Sequence, residues 1–170
     1  MMSTEIGTYT PAAEAWSRIL EDPRFEDLPY KVETNASGQI ILSPHKSDHS
    51  YRQGDLMRLL AVHLPNGRIA AELAIQTSGG IKVPDVTWAS HERYASTKAA
   101  DPPFVAPELV IEVLSASNTR REMEEKRGFY FAAGAREVWT CDSQGRMAFY
   151  DASGQISRST LVPAFPASIP

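Results

Sequence analysis

The order of apolar patterns along the chain predicts a mixed α/β domain, one sheet with helices packed on it. Three observations lead there. Short β-rich runs alternate with helical segments along most of the sequence. One run, ELVIEVL (108–114), is apolar on both faces and so belongs at the centre of a sheet. That run, the helical segment after it and REVWTCD (136–142) read as a right-handed βαβ crossover with parallel strands.

In chain order, PAAEAWSRILED (11–22) starts with Pro11, which suits a first helical turn, and spaces Ala12, Ala15, Trp16, Ile19 and Leu20 on one side. Pro23 and Pro29 bracket a loop. YKVET (30–34) and QIILS (39–43), joined through 35–38, form a hairpin. SDHSYRQGDLMRLLAVHL (47–64) is a helix that Ser47 or Asp48 can cap. Tyr51, Leu56, Leu59, Leu60 and Leu64 are its packed residues, and Gly54 is a mild flaw. RIAAELAIQT and IKVPDVTWA surround SGG as a second hairpin turning at 78–80.

Residues 90–106 lead into a proline-rich loop with one helical turn. NTRREMEEKRGFYFAAG (118–134) is an amphipathic helix stopped by Gly134, with Ser115 and Ser117 as candidate caps. DSQGR turns the chain after REVWTCD, and MAFYD and the region of Leu161 supply edge strands. The tail from Pro163 is a cap or a loose end. Trp16, Trp88 and Trp139 are core or interface residues.

At 170 residues, 42% hydrophobic and 22% charged, the chain suits one domain with a sizeable core. Net charge is −4, so nucleic acid would have to be met by a local basic patch or a metal. Cys141 is the only cysteine, which excludes an intrachain disulfide and a cysteine-rich zinc site. No apolar run approaches the ~18 residues of a membrane helix, and MMSTEIGTYT does not read as a secretory signal. A cytoplasmic protein is the expectation.

Function is most readable at VPDVTW (83–88) and PELVIEVLSAS (107–117). Each should be buried, and each carries one acid where an apolar residue is expected, Asp85 and Glu112. A buried carboxylate is costly unless paired, hydrogen-bonded or bound to a cation. Alone, Asp85 after Pro84 reads equally as a strand-end acid. Glu112, among Leu109, Val110, Ile111, Val113 and Leu114, has little room for a solvated reading. The two are 27 residues apart (112 − 85), so adjacent strands must bring them together. Holding one or two Mg²⁺ ions would equip such a pair for phosphodiester hydrolysis.

The succession VPDV, PELVIEVLSAS and EEKRGFYFAAGAREVWTCD resembles the Uma-type putative restriction endonucleases of the PD-(D/E)XK nuclease superfamily, from about Tyr30 to Pro163. The resemblance implies a restriction-endonuclease-like mixed sheet with flanking helices. It divides the chain into an N-terminal helix and loop (1–29), a nuclease-like domain (30–163) and a tail (164–170). It also implies Mg²⁺ or Mn²⁺ on Asp85, Glu112 and the Val113 carbonyl, with DNA as substrate. Two residues beyond Glu112, where the superfamily places Lys, stands Leu114. The basic group is therefore assigned to Lys126 on the next helix, with Tyr130 one turn on along the same face. By charge alone Lys126 reads as a solvated helix residue.

Glu72 is a candidate second-metal ligand or the partner in a hairpin salt bridge. Glu33 and His49 are supporting candidates, His49 reading more readily as a helix-start hydrogen-bonding residue. Arg120, Arg121 and Arg127, with Lys126, form the candidate phosphate-contacting patch. A homodimer is expected, since cutting two strands suits two-fold symmetry. Without metal, the two carboxylates are expected to repel each other. Two other readings stand beside the nuclease: a noncatalytic module of the same fold for nucleic-acid binding or assembly, and a two-carboxylate glycosidase.

Overall fold

The structure is a computed structural model that describes residues 10–170; the first nine residues of the 1–29 segment lie outside the described residues. Helix α1 (Pro11–Glu21) starts at Thr10, whose hydroxyl accepts the Ala13 amide, and buries Ala12, Ala15 and Ile19. Trp16 is half-buried, and Leu20, expected on the packed side, is 66% exposed because the helical turn carries it past the stripe. Strands β1 (Tyr30–Thr34) and β2 (Ile40–Pro44) pair as an antiparallel two-stranded sheet. In α2 (Ser47–His63) the N-cap is Lys46, with no side-chain cap bond, so neither Ser47 nor Asp48 holds that place. Leu56 and Leu60 are its buried residues, while Tyr51 is 78% exposed.

The second hairpin is split. Its outer arms, β3 (Arg68–Ala71) and β6 (Val86–Ala89), join the main sheet, whereas β4 (Ile75–Thr77) and β5 (Gly80–Lys82) form a sheet of their own. The break falls at Glu72, whose left-handed φ of 52° interrupts the extended backbone. Helix α3 (His91–Thr97) is longer than the single turn expected in 90–106, and Ser90 Oγ caps it by accepting the Arg93 amide.

The remaining elements are β7 (Leu109–Val113), α4 (Arg120–Ala132), β8 (Glu137–Cys141), β9 (Met147–Asp151) and β10 (Gly154–Ile156). They complete a six-stranded sheet in the order β10-β9-β8-β7-β6-β3, in which only β7 and β8 run parallel. Thr119, not Ser115 or Ser117, caps α4 in a reciprocal capping box with Glu122. The outer strands are β10 and β3; MAFYD, expected at an edge, is β9 and is paired on both sides by β10 and β8, and the stretch around Leu161 forms no strand.

Strand β7 alternates between the two faces of the sheet. Leu109, Ile111 and Val113 join Leu56, Leu60 and Trp139 in the core under α2, and Val110 joins Tyr130 and Val138 under α4. Glu112 follows Val110 on the α4 side. The tail acts as a cap. Phe165 and Ile169 are buried in the α2 core, with the Phe165 ring centroid 4.7 Å from that of Trp139. Glu137 anchors the preceding turn: its carboxylate accepts from Trp139 Nε1, Ser159 Oγ, the Thr160 amide and hydroxyl, and the Leu161 amide. Among the described residues, no helix is long and apolar enough to cross a membrane.

Candidate functional site

Strands β6 and β7 are antiparallel, with Val86 opposite Ile111. One step outward in that register, Asp85 falls opposite Glu112, where cross-strand neighbours stand about 5 Å apart at Cβ. Residues distant in sequence therefore become neighbours through strand pairing alone. Asp85 is fully buried, and its Oδ2 accepts the Val113 amide at 2.6 Å. Its carbonyl accepts from Gln53 Nε2 at 2.7 Å and from the Glu72 amide at 3.2 Å, which fixes the backbone.

Helix α4 lies against this end of the sheet and turns Lys126 and Tyr130 inward, one turn apart on one face. Tyr130 donates to Glu112 Oε1 at 2.5 Å, and Lys126 Nζ lies 2.9 Å from the same oxygen. Lys126 Nζ also lies 3.0 Å from Glu33 Oε1, and that oxygen accepts the Val83 amide at 2.7 Å. Glu33 thus ties the first hairpin to both α4 and the segment leading to Asp85. His49, in the first turn of α2, places Nε2 2.9 Å from Asp85 Oδ1 but is aligned to hydrogen-bond with nothing.

Sequence reasoning missed Lys31. From β1 its Nζ reaches Asp85 Oδ1 at 2.5 Å and Glu112 Oε2 at 3.6 Å, with the side chain only 10% exposed. One ammonium therefore bridges the two carboxylates, and the repulsion expected between them is offset by Lys31 and Lys126. The available signal was the Lys31, Glu33 alternation in YKVET, which puts both side chains on one face of a strand. Gln53 gave no comparable signal.

Burial raises the Asp85 carboxyl pKa, but His49 and Lys31 outweigh it and hold the group below the usual carboxylate range. Glu112 goes the other way: burial, helped by the Asp85 and Glu33 charges, raises it against the pull of Lys126 and Lys31. Burial works against the charge on Lys126, yet Glu112 and Glu33 more than compensate and raise its pKa. Burial and the Glu112 charge keep the Tyr130 phenol protonated far above its ordinary range.

Other candidates lie apart. The left-handed backbone at Glu72 turns its carboxylate toward His45, 3.7 Å away, outside the buried cluster. Leu114 is half-buried and faces a groove of about 760 Å³ on the far side of α4, with Met123, Phe131, Thr140 and Tyr150. Lys126 belongs to the buried cluster and not to a surface patch. Arg120 and Arg121 pair with Glu124 and Glu125 on exposed turns, and the Arg127 guanidinium sits 3.9 Å from the Tyr150 ring centroid. Such exposed pairs are worth at most about 1 kcal/mol, so both arginines can exchange a glutamate for a phosphate.

Among the described residues, no group of three or more His, Cys, Asp or Glu side chains is arranged to hold an ion as it stands. The donors nevertheless fit one. Two carboxylate oxygens converge on a point where a cation, the Lys31 ammonium, already lies, and the His49 imidazole adjoins them, its Nε2 2.9 Å from Asp85 Oδ1. Oxygen donors of this kind suit Mg²⁺ or Mn²⁺.

The family model described as "Uma2: Putative restriction endonuclease" matches residues 22–156. Among solved structures, the chain is similar to a protein titled "a putative nuclease belonging to DUF820" from Anabaena variabilis ATCC 29413. The TM-score is 0.68 at 16% identity, with 95% of each chain covered, a likeness of fold. No curated protein matches the chain.

Proposed function

The chain belongs to the Uma2 family, described as putative restriction endonucleases, and on that premise we propose that it is a divalent-metal-dependent endonuclease hydrolysing DNA phosphodiester bonds. The observation that carries this reading is the convergence of Asp85 Oδ1 and Glu112 Oε2 on a single cation, Lys31 Nζ, in a poorly solvated site. Asp85 and Glu112 would hold Mg²⁺ or Mn²⁺, with the Val113 carbonyl completing the protein's share by analogy with the superfamily. A bound ion of this kind supplies charge neutralisation at phosphate and acidifies water.

The chain's own groups prepare the site. The Val113 amide and the Tyr130 hydroxyl each fix one carboxylate oxygen, and the other oxygen of each acid faces the Lys31 ammonium, with His49 also beside Asp85 Oδ1. Lys126 replaces the lysine absent at Leu114. Held between Glu33 and Glu112, it keeps its proton and can orient an attacking water or offset phosphate charge. Arg120, Arg121 and Arg127 would follow the backbone of the duplex, and two copies related by a two-fold axis would address both strands.

The test is cleavage of supercoiled plasmid with Mg²⁺ or Mn²⁺, against a chelator blank. Glu112→Gln and Asp85→Asn should each abolish nicking in protein that remains folded by circular dichroism. Cleavage that survives both substitutions would refute the assignment. One observation favours a second reading: each of the three carboxylates already has Lys31 or Lys126 as an ion-pair partner, as in a purely structural charge cluster. Retained DNA binding without cleavage, across metals and substrates, would identify a noncatalytic module.

A further inference from the structure

We propose that Lys31 is the resident counter-ion of the carboxylate pair: it holds the position a divalent cation takes, and so sets how tightly the site binds one. This rests on the metal-site reading above. The four carboxylate oxygens are used unequally. Asp85 Oδ2 is engaged by the Val113 amide, and Glu112 Oε1 by the Tyr130 hydroxyl and the Lys126 ammonium. These donors are fixed by the sheet and by α4. The oxygens left to bridge an ion are Asp85 Oδ1 and Glu112 Oε2; Lys31 Nζ lies 2.5 and 3.6 Å from them, and His49 Nε2 lies 2.9 Å from Asp85 Oδ1.

Mg²⁺ binds oxygen at about 2.1 Å. An ion on those two oxygens would crowd the ammonium against a like charge, so the two cations exclude each other. The two lysines paired with these acids then have different fates. Lys126 is clamped between two glutamates and backed by α4. Lys31 extends from β1, in a two-stranded sheet outside the main one, and its four-carbon stem can swing the ammonium outward. Displacing it breaks its ion pairs with both carboxylates, and that cost is subtracted from the affinity for metal. Removing one partner from a buried ion pair is costly enough to put the effect at about tenfold or more in Kd.

Calorimetric titration of Mn²⁺ into the full chain tests this. Lys31→Met should bind Mn²⁺ at least about tenfold more tightly than wild type, and should unfold at a lower temperature without metal. Equal affinity in the two proteins would overturn the role of Lys31 while leaving the carboxylates as a metal site. Unchanged binding in Asp85→Asn would overturn the metal-site reading itself, and the Lys31 role with it. Should Lys31→Met fail to fold, wild type carries the test through nitrogen-15 NMR of the lysine ammonium groups during Mg²⁺ titration. The Lys31 signal, assigned with Lys31→Arg, should shift and broaden toward solvent exchange while that of Lys126 keeps its place. A Lys31 signal unmoved at saturating Mg²⁺ would overturn the proposal.

Discussion

Replacing Lys126 with Met asks how much of the domain's stability rests on charge compensation at the site. Met retains much of the stem's bulk and removes the ammonium that lies 3.0 Å from Glu33 and 2.9 Å from Glu112. Glu112 then keeps Lys31, 3.6 Å away, and the Tyr130 hydroxyl, while Glu33 keeps the Val83 amide, with no ion-pair partner among the described residues. Taking one partner from a buried ion pair costs about 3–5 kcal/mol. For a domain of this size each kcal/mol shifts Tm by about 2–4 °C, so a fall of about 6–20 °C is expected. The sign is fixed by the raised pKa of Lys126, where the glutamates outweigh burial. Its contribution is fully present below the unfolded lysine value of 10.5 and is lost only as pH climbs through the higher folded value, so pH 7.5 captures the whole effect. Urea unfolding followed by circular dichroism measures it. Adding Glu33→Gln to Lys126→Met should recover at least about 1 kcal/mol relative to the sum of the single changes. A loss below about 1 kcal/mol, or strict additivity in the cycle, would refute the compensation argument.

Asp85→Asn should cost about 2 kcal/mol at pH 7, because a carboxyl depressed by His49 and Lys31 stabilises the fold above its unfolded value of 3.8. That contribution is lost as pH falls through the folded value, so the gap to wild type should narrow near pH 2; an equal gap at both pH values would contradict it. Phe165→Ala should lower stability by about 3–5 kcal/mol, read from the urea midpoint, because the ring packs into the core against Trp139. Light scattering should return twice the 18.7 kDa chain mass, and a stable monomer at working concentrations would count against the two-fold assembly.

The parts of the fold most legible in the sequence were those whose pattern and partners are local. ELVIEVL is apolar on both faces and lies at the centre of the sheet, and the crossover through α4 to β8 follows from it. The second hairpin was harder, because a single left-handed residue, Glu72, separates its arms into two sheets, and φ leaves little trace in a chain without glycine there. At the site, Asp85 and Glu112 stood out as acids in apolar runs. Lys31 did not, since a lysine in a half-exposed hairpin strand looks solvated until the hairpin's position is known. The cap of α2 was misplaced for a related reason: two good capping residues lie inside its first turn, while the actual N-cap, Lys46, makes no side-chain bond.

The Glu137 anchor bears on when the domain can form during synthesis. Most of the partners that satisfy this buried acid arrive more than twenty residues later, at Ser159, Thr160 and Leu161, and the side chains of Val162, Phe165 and Ile169 that seal the same core come later still. A nascent chain that has emerged only through β9 would carry a buried carboxylate with Trp139 Nε1 alone among its donors, and a sheet face without its cover. The parallel pair β7–β8 therefore has no stable resting state until the segment through Ile169 is free to dock. Folding of this domain is expected to come late and to be nearly all-or-none, with the carboxylate cluster assembled in the same event.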